Sequence, residues 1–135
     1  MTATILSFVS GIATFMALDY VWLAIIAKSF YLKELSNHVR IENGSLVPYL
    51  PAVPLVYLIA AIAVSVFVLP HATTLREAGL YGTLLGFLMY AFYDLTNLAT
   101  LTGYSWKLTL LDSLWGAVVV GVVAAVMFLA RNTLA

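Results

Sequence analysis

The chain has 135 residues, of which 64% are hydrophobic and only 9% carry a charge, whereas charged residues make up about 25% of a typical soluble domain. Six Lys and Arg balance six Asp and Glu and there is no cysteine, so the sequence excludes disulfides, thiolate metal sites and cysteine nucleophiles, and nothing in it indicates a nucleic-acid-binding surface. This composition predicts an integral membrane protein whose main partner is the lipid bilayer.

Four apolar segments are long enough to cross a membrane, because about 20 residues at ~1.5 Å each cover a hydrocarbon core of roughly 30 Å. The first contains Asp19, has no Lys or Arg before it and is longer than a signal-sequence core, so we interpret it as a retained span. The sequence therefore predicts a single domain over residues 1–135, an all-α bundle of four transmembrane helices. The predicted spans lie at about 4–27, 47–69, 78–101 and 108–129.

The first connection, from Lys28 to about Leu46, is the longest and has the pattern of an amphipathic helix at the membrane surface. A solvated loop is the alternative interpretation. Pro48, Pro51 and Pro54 follow, and prolines at this spacing allow an irregular start to the second span. The helical pattern places Leu32, Leu35 and Val39 on one face and Lys33, Asn37 and Arg40 on another.

The orientation follows from the positive charges of the short loops, which are commoner on the cytoplasmic side of a membrane. Four basic residues lie on one side and two on the other, which predicts that the first side is cytoplasmic and that both termini are outside. The first group is Lys28, Lys33, Arg40 and Lys107, and the second is Arg76 and Arg131.

Three aspartates, Asp19, Asp94 and Asp112, lie within the predicted spans at a similar depth, roughly 7–14 Å from the same membrane face at ~1.5 Å per residue. A carboxylate at this depth costs about 2.5–3.5 kcal/mol, and such residues commonly mark proton, ion or substrate pathways. The alternative is that each accepts hydrogen bonds from Tyr, Trp or Asn and only holds helices together. Crowded carboxylates repel one another unless one holds a proton or a cation joins them.

Helical spacing adds further polar residues to this level. Each aspartate has a polar or aromatic residue three positions later, and Tyr90, Asp94 and Asn97 project from one face of the third span. The sequence indicates no metal site and assigns neither a cofactor nor a catalytic residue. The predicted ligand-binding residues are Asp19, Trp22, Tyr90, Tyr93, Asp94, Thr96, Asn97, Asp112 and Trp115.

Small residues at four-residue steps predict close helix contacts in the third and fourth spans. Such faces pack either inside the bundle or against another copy of the chain, so a homo-oligomer is one interpretation. The faces consist of Gly82 and Gly86 in the third span and of Ala117, Gly121 and Ala125 in the fourth.

Four motifs, "LDYVWL", "GLYGTLLG", "YDLTNLATL" and "DSLWG", together resemble the bacterial membrane family catalogued as domain of unknown function 2177, and the resemblance covers nearly the whole chain. It implies a small four-span protein of the bacterial inner membrane without an assigned activity. Family members typically carry a Trp-Pro pair before the fourth span, where this chain has "YSWK". The matching motif positions are Asp19, Trp22, Tyr93 through Asn97, Asp112, Trp115 and Gly116.

Three functions remain open. The leading hypothesis is that the aspartates bind or transport a proton, a cation or a small cationic solute, since carboxylate, amide and hydroxyl oxygens suit hard cations. The second is an intramembrane enzyme acting on a lipid or isoprenoid, with one aspartate as general acid or base and Lys28, Arg40 and Lys107 available to anchor a headgroup. The third is a scaffold or accessory subunit. All three aspartates favour one membrane face, which argues against a path through the bilayer.

Overall fold

The structure, a computed structural model, describes residues 1–133. Within these residues five α-helices follow one another, and a short hairpin lies between the second helix and the third. The hairpin pairs β1 (Ile41–Glu42) with β2 (Ser45–Leu46), and a π-helical turn (Trp22–Ile26) extends the first helix. The helices are α1 (Thr2–Val21), α2 (Lys28–Glu34), α3 (Val53–Phe67), α4 (Leu75–Thr100) and α5 (Trp106–Asn132).

The predicted helical class is confirmed, and two helices have the length and hydropathy of a membrane span. These are Thr2–Ile26 and Trp106–Asn132. The helix α4 covers the third predicted span, whereas α3 is shorter than the segment of about 47–69 predicted for the second. The reason is that α3 begins only after Pro51 and ends before Pro70, since proline is poorly tolerated inside a helix.

The first connection is less helical than its pattern predicts. Only α2 is a helix, and the chain then reverses in the hairpin, where Asn43 and Gly44 have φ angles of 48° and 71°. Asn and Gly adopt these left-handed angles more readily than other residues, and an Asn-Gly pair is a strong hairpin signal. The turn therefore overrides the helical spacing of the apolar residues around it.

The helix α5 is the centre of the bundle and packs against both α1 and α4. Val119, Val120, Ala124 and Met127 on this helix are inaccessible to solvent. The backbone of α4 approaches α5 closely because Gly86 has no side chain, and a Cβ there would overlap the carbonyl of Gly116. Core packing is thus concentrated along one helix that carries part of the polar site at its other end.

The predicted small-residue faces lie mainly inside this contact. Gly82 faces the side chain of Ala124, and Ala117 and Gly121 are buried, whereas Ala125 is half-buried. Packing within one chain therefore occupies most of the surface that the sequence offered for a homo-oligomer.

The outside of the bundle is apolar on every long helix. Ile5, Ile59, Leu84 and Val118 are each more than half exposed, and they lie on α1, α3, α4 and α5 respectively. Extended apolar surface of this kind marks contact with a membrane or a partner protein. The exterior is what a bilayer requires.

The helix α3 separates from the bundle toward its N-terminal end. Its later residues Ala60, Ala61 and Val64 are buried, whereas the earlier residues Leu55 and Val56 are more than half exposed. The separation leaves a groove between α1 and the first turns of α3.

Candidate functional site

Asp19 lies near the end of α1 and accepts a hydrogen bond from α5. The indole Nε1 of Trp115 donates to its Oδ1 over 2.9 Å. Tyr57 on α3 is a neighbour of the same carboxylate, and both residues line the groove between α1 and α3.

Asp112 on α5 is joined to the π-helical turn through a tyrosine. The hydroxyl of Tyr31 donates to its Oδ1 and itself accepts from Nε1 of Trp22 over 3.1 Å. The ring of Trp22 stacks on Trp115 with centroids 4.5 Å apart and planes 4° apart. Single π-helical turns are frequent at functional sites. Here the turn begins at Trp22, which connects two aspartate groups: Asp112 with Tyr31, and Asp19 with Trp115.

Asp94 on α4 is completely buried and accepts a hydrogen bond from the hydroxyl of Tyr104. Its carboxyl group is close enough to that of Asp112 for the two to interact. Its Oδ2 is buried and has no hydrogen-bond partner among residues 1–133. Two adjacent carboxylates repel each other, so the geometry suits a pair that holds one proton between its members.

Tyr31 and Tyr104 lie between the long helices, in α2 and in the loop before α5. Burial raises the pKa of each phenol above its usual range, and the neighbouring aspartates raise it further. Both residues therefore keep their hydroxyl proton and act as donors to Asp112 and Asp94.

Asp19 and Asp112, with the tyrosines Tyr31 and Tyr104, line a cavity of about 360 Å³, which we call the aspartate chamber, whereas Asp94 is fully buried and does not line it. Asp19, Asp112, Tyr90 and Asn97 contribute polar atoms to its wall. The ring of Tyr90 fits there because Gly116 has no Cβ to overlap it. Its remaining lining residues include Tyr31, Leu35, His38, Leu46, Tyr104 and Trp115.

A second cavity of about 1010 Å³, the lateral groove, follows the gap between α1 and α3. Its wall is largely apolar, and Lys28 and Arg40 lie at the end nearest the first connection. Asp19 and His38 line both cavities, so the groove and the chamber adjoin at these residues. Apolar cavities with a few convergent polar groups are typical of binding sites.

The segment that contains Glu34 and His38 is held to the loop before α5 by two hydrogen bonds. A ring nitrogen, Nε2 of His38, lies 3.1 Å from the carbonyl oxygen of Thr102, and Ser105 donates to Glu34 over 2.5 Å. Residues far apart in the chain thus close the site on one side.

The predicted site residues come together, with the exception of Thr96, which is exposed and donates its hydroxyl to the carbonyl of Phe92 on its own helix. Tyr93 lines the edge of the chamber and is 62% exposed. The residues brought together are Asp19, Trp22, Tyr90, Tyr93, Asp94, Asn97, Asp112 and Trp115.

Sequence reasoning missed the tyrosines that bind the aspartates. Tyr31 and Tyr104 have the position of interfacial aromatic residues, which is the commoner role for Tyr at the ends of spans. Tyr57 lies in the second span without polar neighbours at helical spacing. A search for one phenol per buried carboxylate could have found them, since buried carboxylates need donors.

Residues 1–133 contain no group of three or more His, Asp or Glu side chains placed to hold a metal ion.

The comparisons with known proteins agree with the membrane character of the fold. A family model described as "Predicted membrane protein (DUF2177)" matches residues 4–129. The search of curated proteins and the search of solved structures gave no match.

Proposed function

The chain belongs to this family of predicted membrane proteins, and we propose that it is an intramembrane enzyme that takes a lipid or isoprenoid from the bilayer and acts on it with its aspartates. One observation carries the proposal: a large apolar groove open between α1 and α3 adjoins the aspartate chamber at Asp19. A molecule dissolved in the membrane can reach such a site sideways without crossing a water-filled path.

In the proposed topology α1, α3, α4 and α5 each cross the bacterial inner membrane. The helix α4 has 26 residues, about 39 Å at ~1.5 Å per residue, and α3 has 15, about 22 Å. The turns at both ends of α3 complete its span, and α2 with the hairpin lies at the membrane surface. The basic residues near the chamber support a position of the chamber on the cytoplasmic side, with both termini outside.

The chemistry assigned to the site is proton transfer. A carboxyl pair that holds one proton can give it to one atom of a substrate and accept it from another, and positioned acid–base groups contribute about 10²–10⁴-fold to rates. The hydroxyls of Tyr31 and Tyr104 hold Asp112 and Asp94 in place. Asp19, which lines both cavities, would meet the part of the substrate that enters the chamber from the groove. One chain supplies all of these groups, so the function needs no second copy.

The packing of the bundle favours this function over transport. Below the chamber the helices meet in a core of small and apolar side chains, among them Val64, Val120, Ala124 and Met127. A transported ion or solute would have to cross this core. The leading hypothesis from the sequence is therefore replaced by the lipid hypothesis.

Binding of a proton or small cation without transport is the second candidate. The buried Oδ2 of Asp94, which has no hydrogen-bond partner among residues 1–133, supports it. A cation at this point would neutralise the carboxyl pair as a shared proton does, and oxygen ligands suit hard cations.

Thermal unfolding of the purified protein in detergent tests the two candidates together. The additives are a panel of phospholipids and isoprenoids and a panel of mono- and divalent cations. A ligand that binds only the native state adds about 2.7 kcal/mol at a hundredfold excess over its dissociation constant. We expect an amphiphile to raise the melting temperature of wild type and of Asp94→Asn, because the groove is intact in both.

The matched control is Thr96→Ala, which removes a hydroxyl from the same helix outside the chamber. A response to one cation that Asp94→Asn loses and Thr96→Ala keeps would favour the second candidate. The lipid proposal is wrong if no amphiphile changes the melting temperature.

A further inference from the structure

We propose that the lateral groove binds an amphiphile with an anionic phosphate headgroup, which is held by Lys28 and Arg40. The inference rests on the proposed function and names the class of ligand. The two basic residues lie at the same end of the groove, and its remaining wall is formed largely by apolar and aromatic side chains such as Tyr20, Leu23 and Val53. The groove thus has a positive end and an apolar length, as an anionic lipid requires.

Lys28 is positioned by the structure rather than free in solvent. It begins α2 directly after the π-helical turn, and its Nζ donates to the hydroxyl of Ser45 on β2 over 3.0 Å. The side chain is half-buried and lines the groove. The Ser45 hydroxyl is neutral, so the ammonium charge of Lys28 can attract an anion.

Arg40 is held in a similar way on the other side of the same end. Its guanidinium lies over the ring of Tyr49, 5.0 Å from the centroid, in the geometry of a cation–π contact. Both residues line the groove. An aromatic face leaves the guanidinium N–H groups free to bind phosphate oxygens, a geometry that Arg supports well.

One acidic residue, Asp19, also lines the groove. It precedes Lys28 by nine residues along α1 and its π-helical extension, about 13 Å at ~1.5 Å per residue. Its Oδ1 already accepts from Nε1 of Trp115. The separation along the helix allows an anionic headgroup to bind Lys28 without contacting the carboxylate.

A cationic or uncharged headgroup would leave both basic residues without a counter-charge. Free phosphate would satisfy them but would leave the apolar length of the groove unused. The groove walls, formed by α1 and α3 on the bilayer side, therefore favour a phosphate carried by a lipid over phosphate from solution.

Binding is measured in detergent by native mass spectrometry and thermal unfolding with four probes: phosphatidylglycerol, phosphatidylcholine, diacylglycerol and inorganic phosphate. We expect phosphatidylglycerol to bind most tightly. The double variant Lys28→Gln/Arg40→Gln should lose about fivefold in affinity for each charge removed, with no change in its weak binding of diacylglycerol.

The matched control is Lys33→Gln/Lys107→Gln. These two lysines lie in α2 and at the start of α5, they are exposed, and neither lines the groove. The control removes the same net charge near the same membrane face and should bind phosphatidylglycerol as wild type does. If the double glutamine variant fails to fold, Arg40→Gln alone is compared with Arg40→Lys, which keeps the charge and should retain most of the preference.

The outcomes distinguish a failure of the headgroup inference from a failure of the proposed lipid-binding function. Equal binding of all three lipids, unchanged in the variant, would overturn the headgroup inference and leave the lipid-binding function intact. An equal loss of affinity in both glutamine pairs would indicate a general surface charge effect and overturn the assignment to Lys28 and Arg40. Tight binding of inorganic phosphate alone would overturn the lipid source. The absence of binding by any lipid would overturn the proposed function itself.

Discussion

The two ends of the bundle are held together by different means, although the same helices form both. At one end α4 and α5 touch through small residues, with Gly82 against Ala124 and Gly86 against Gly116. At the other end the helices are joined by hydrogen bonds to buried carboxylates, such as that from Trp115 to Asp19. Close packing needs no cavity, whereas carboxylates need donors and space, so the chamber forms only at the second end.

The central helix shows why both ends must fold together. Met127 and Val120 on α5 belong to the apolar core, and Asp112 and Trp115 on the same helix belong to the polar site. A rigid contact at the apolar end fixes the height and rotation of α5. Packing at one end therefore sets the position of the site, while the polar network at the other end defines its chemistry.

The largest effect is expected from a change at the packed end. In Gly86→Val the new side chain overlaps the backbone of Gly116 and the side chain of Val120, and backbone cannot move aside cheaply. Overpacking of this kind typically costs about 1–3 kcal/mol and can cost more. We expect a large loss of stability in unfolding by sodium dodecyl sulphate.

The matched change is Gly79→Val, two turns earlier on α4, where a Cβ meets nothing within 4 Å. It should leave the stability nearly unchanged. Similar losses in the two variants would mean that the effect is a general response of α4 to valine and that close contact does not hold this end.

A smaller effect is expected from Asp94 at the polar end. Asp94→Ala removes the acceptor of the Tyr104 hydroxyl, and an unsatisfied buried donor costs about 1–3 kcal/mol. Asp94→Asn keeps an acceptor for Tyr104 and supplies an N–H toward Asp112, so its cost should be clearly smaller. Thermal unfolding in detergent measures both. Equal losses in the two variants would show that the hydrogen bond from Tyr104 to Asp94 does not stabilise this end.

The sequence was most informative where single helices carry the signal. The spacing of Asp94 and Asn97 on one helix face, and the shared depth of Asp19 and Asp112, predict a polar level. Asp19, Asn97 and Asp112 line the chamber, whereas Asp94 is buried outside its wall. The helix of residues 106–132 also follows from its apolar length. These features depend on local periodicity, which is visible in one chain.

The features of the site that the sequence did not predict depend on contacts between distant segments of the chain. Tyr31 reaches Asp112 across 81 positions of the sequence, and Glu34 meets Ser105 across 71. No local pattern encodes such pairs. The groove was not predicted either, because the separation of α3 from α1 depends on which of the apolar residues of α3 find partners. Ile59 and Val64 are alike in hydropathy, but only Val64 is buried.

An intermediate effect is expected for the stack that joins the two aspartate groups. Trp22 and Trp115 lie face to face, and each donates to a different partner, Tyr31 or Asp19. A double-mutant cycle with Trp22→Phe and Trp115→Phe should give a coupling energy of about 0.5–1.5 kcal/mol, typical of aromatic pairs. Strictly additive stabilities in thermal unfolding would mean that the two groups are independent.

The smallest effect is expected at the packed end, in the cap of α4. The hydroxyl of Thr74 accepts from the backbone N–H of Glu77, and the Glu77 carboxylate accepts in return from the Thr74 backbone. Loss of such a cap costs about 0.5–2 kcal/mol, and Thr74→Ala should lie at the low end of this range because the cap is exposed. The cap lies outside the polar network, so this variant should retain the ligand response of wild type.

The same cap makes the stability of the packed end weakly dependent on pH. Hydrogen bonds from Thr73 and Thr74 lower the pKa of Glu77 from its ordinary value of 4.5. Its contribution to stability is therefore complete above pH 4.5 and is lost as the pH falls through the lowered folded-state pKa. Glu77→Gln has no such titration, so the difference in melting temperature between wild type and this variant should shrink in acid. A difference that is constant across this range would show that the charge of Glu77 does not act through the cap.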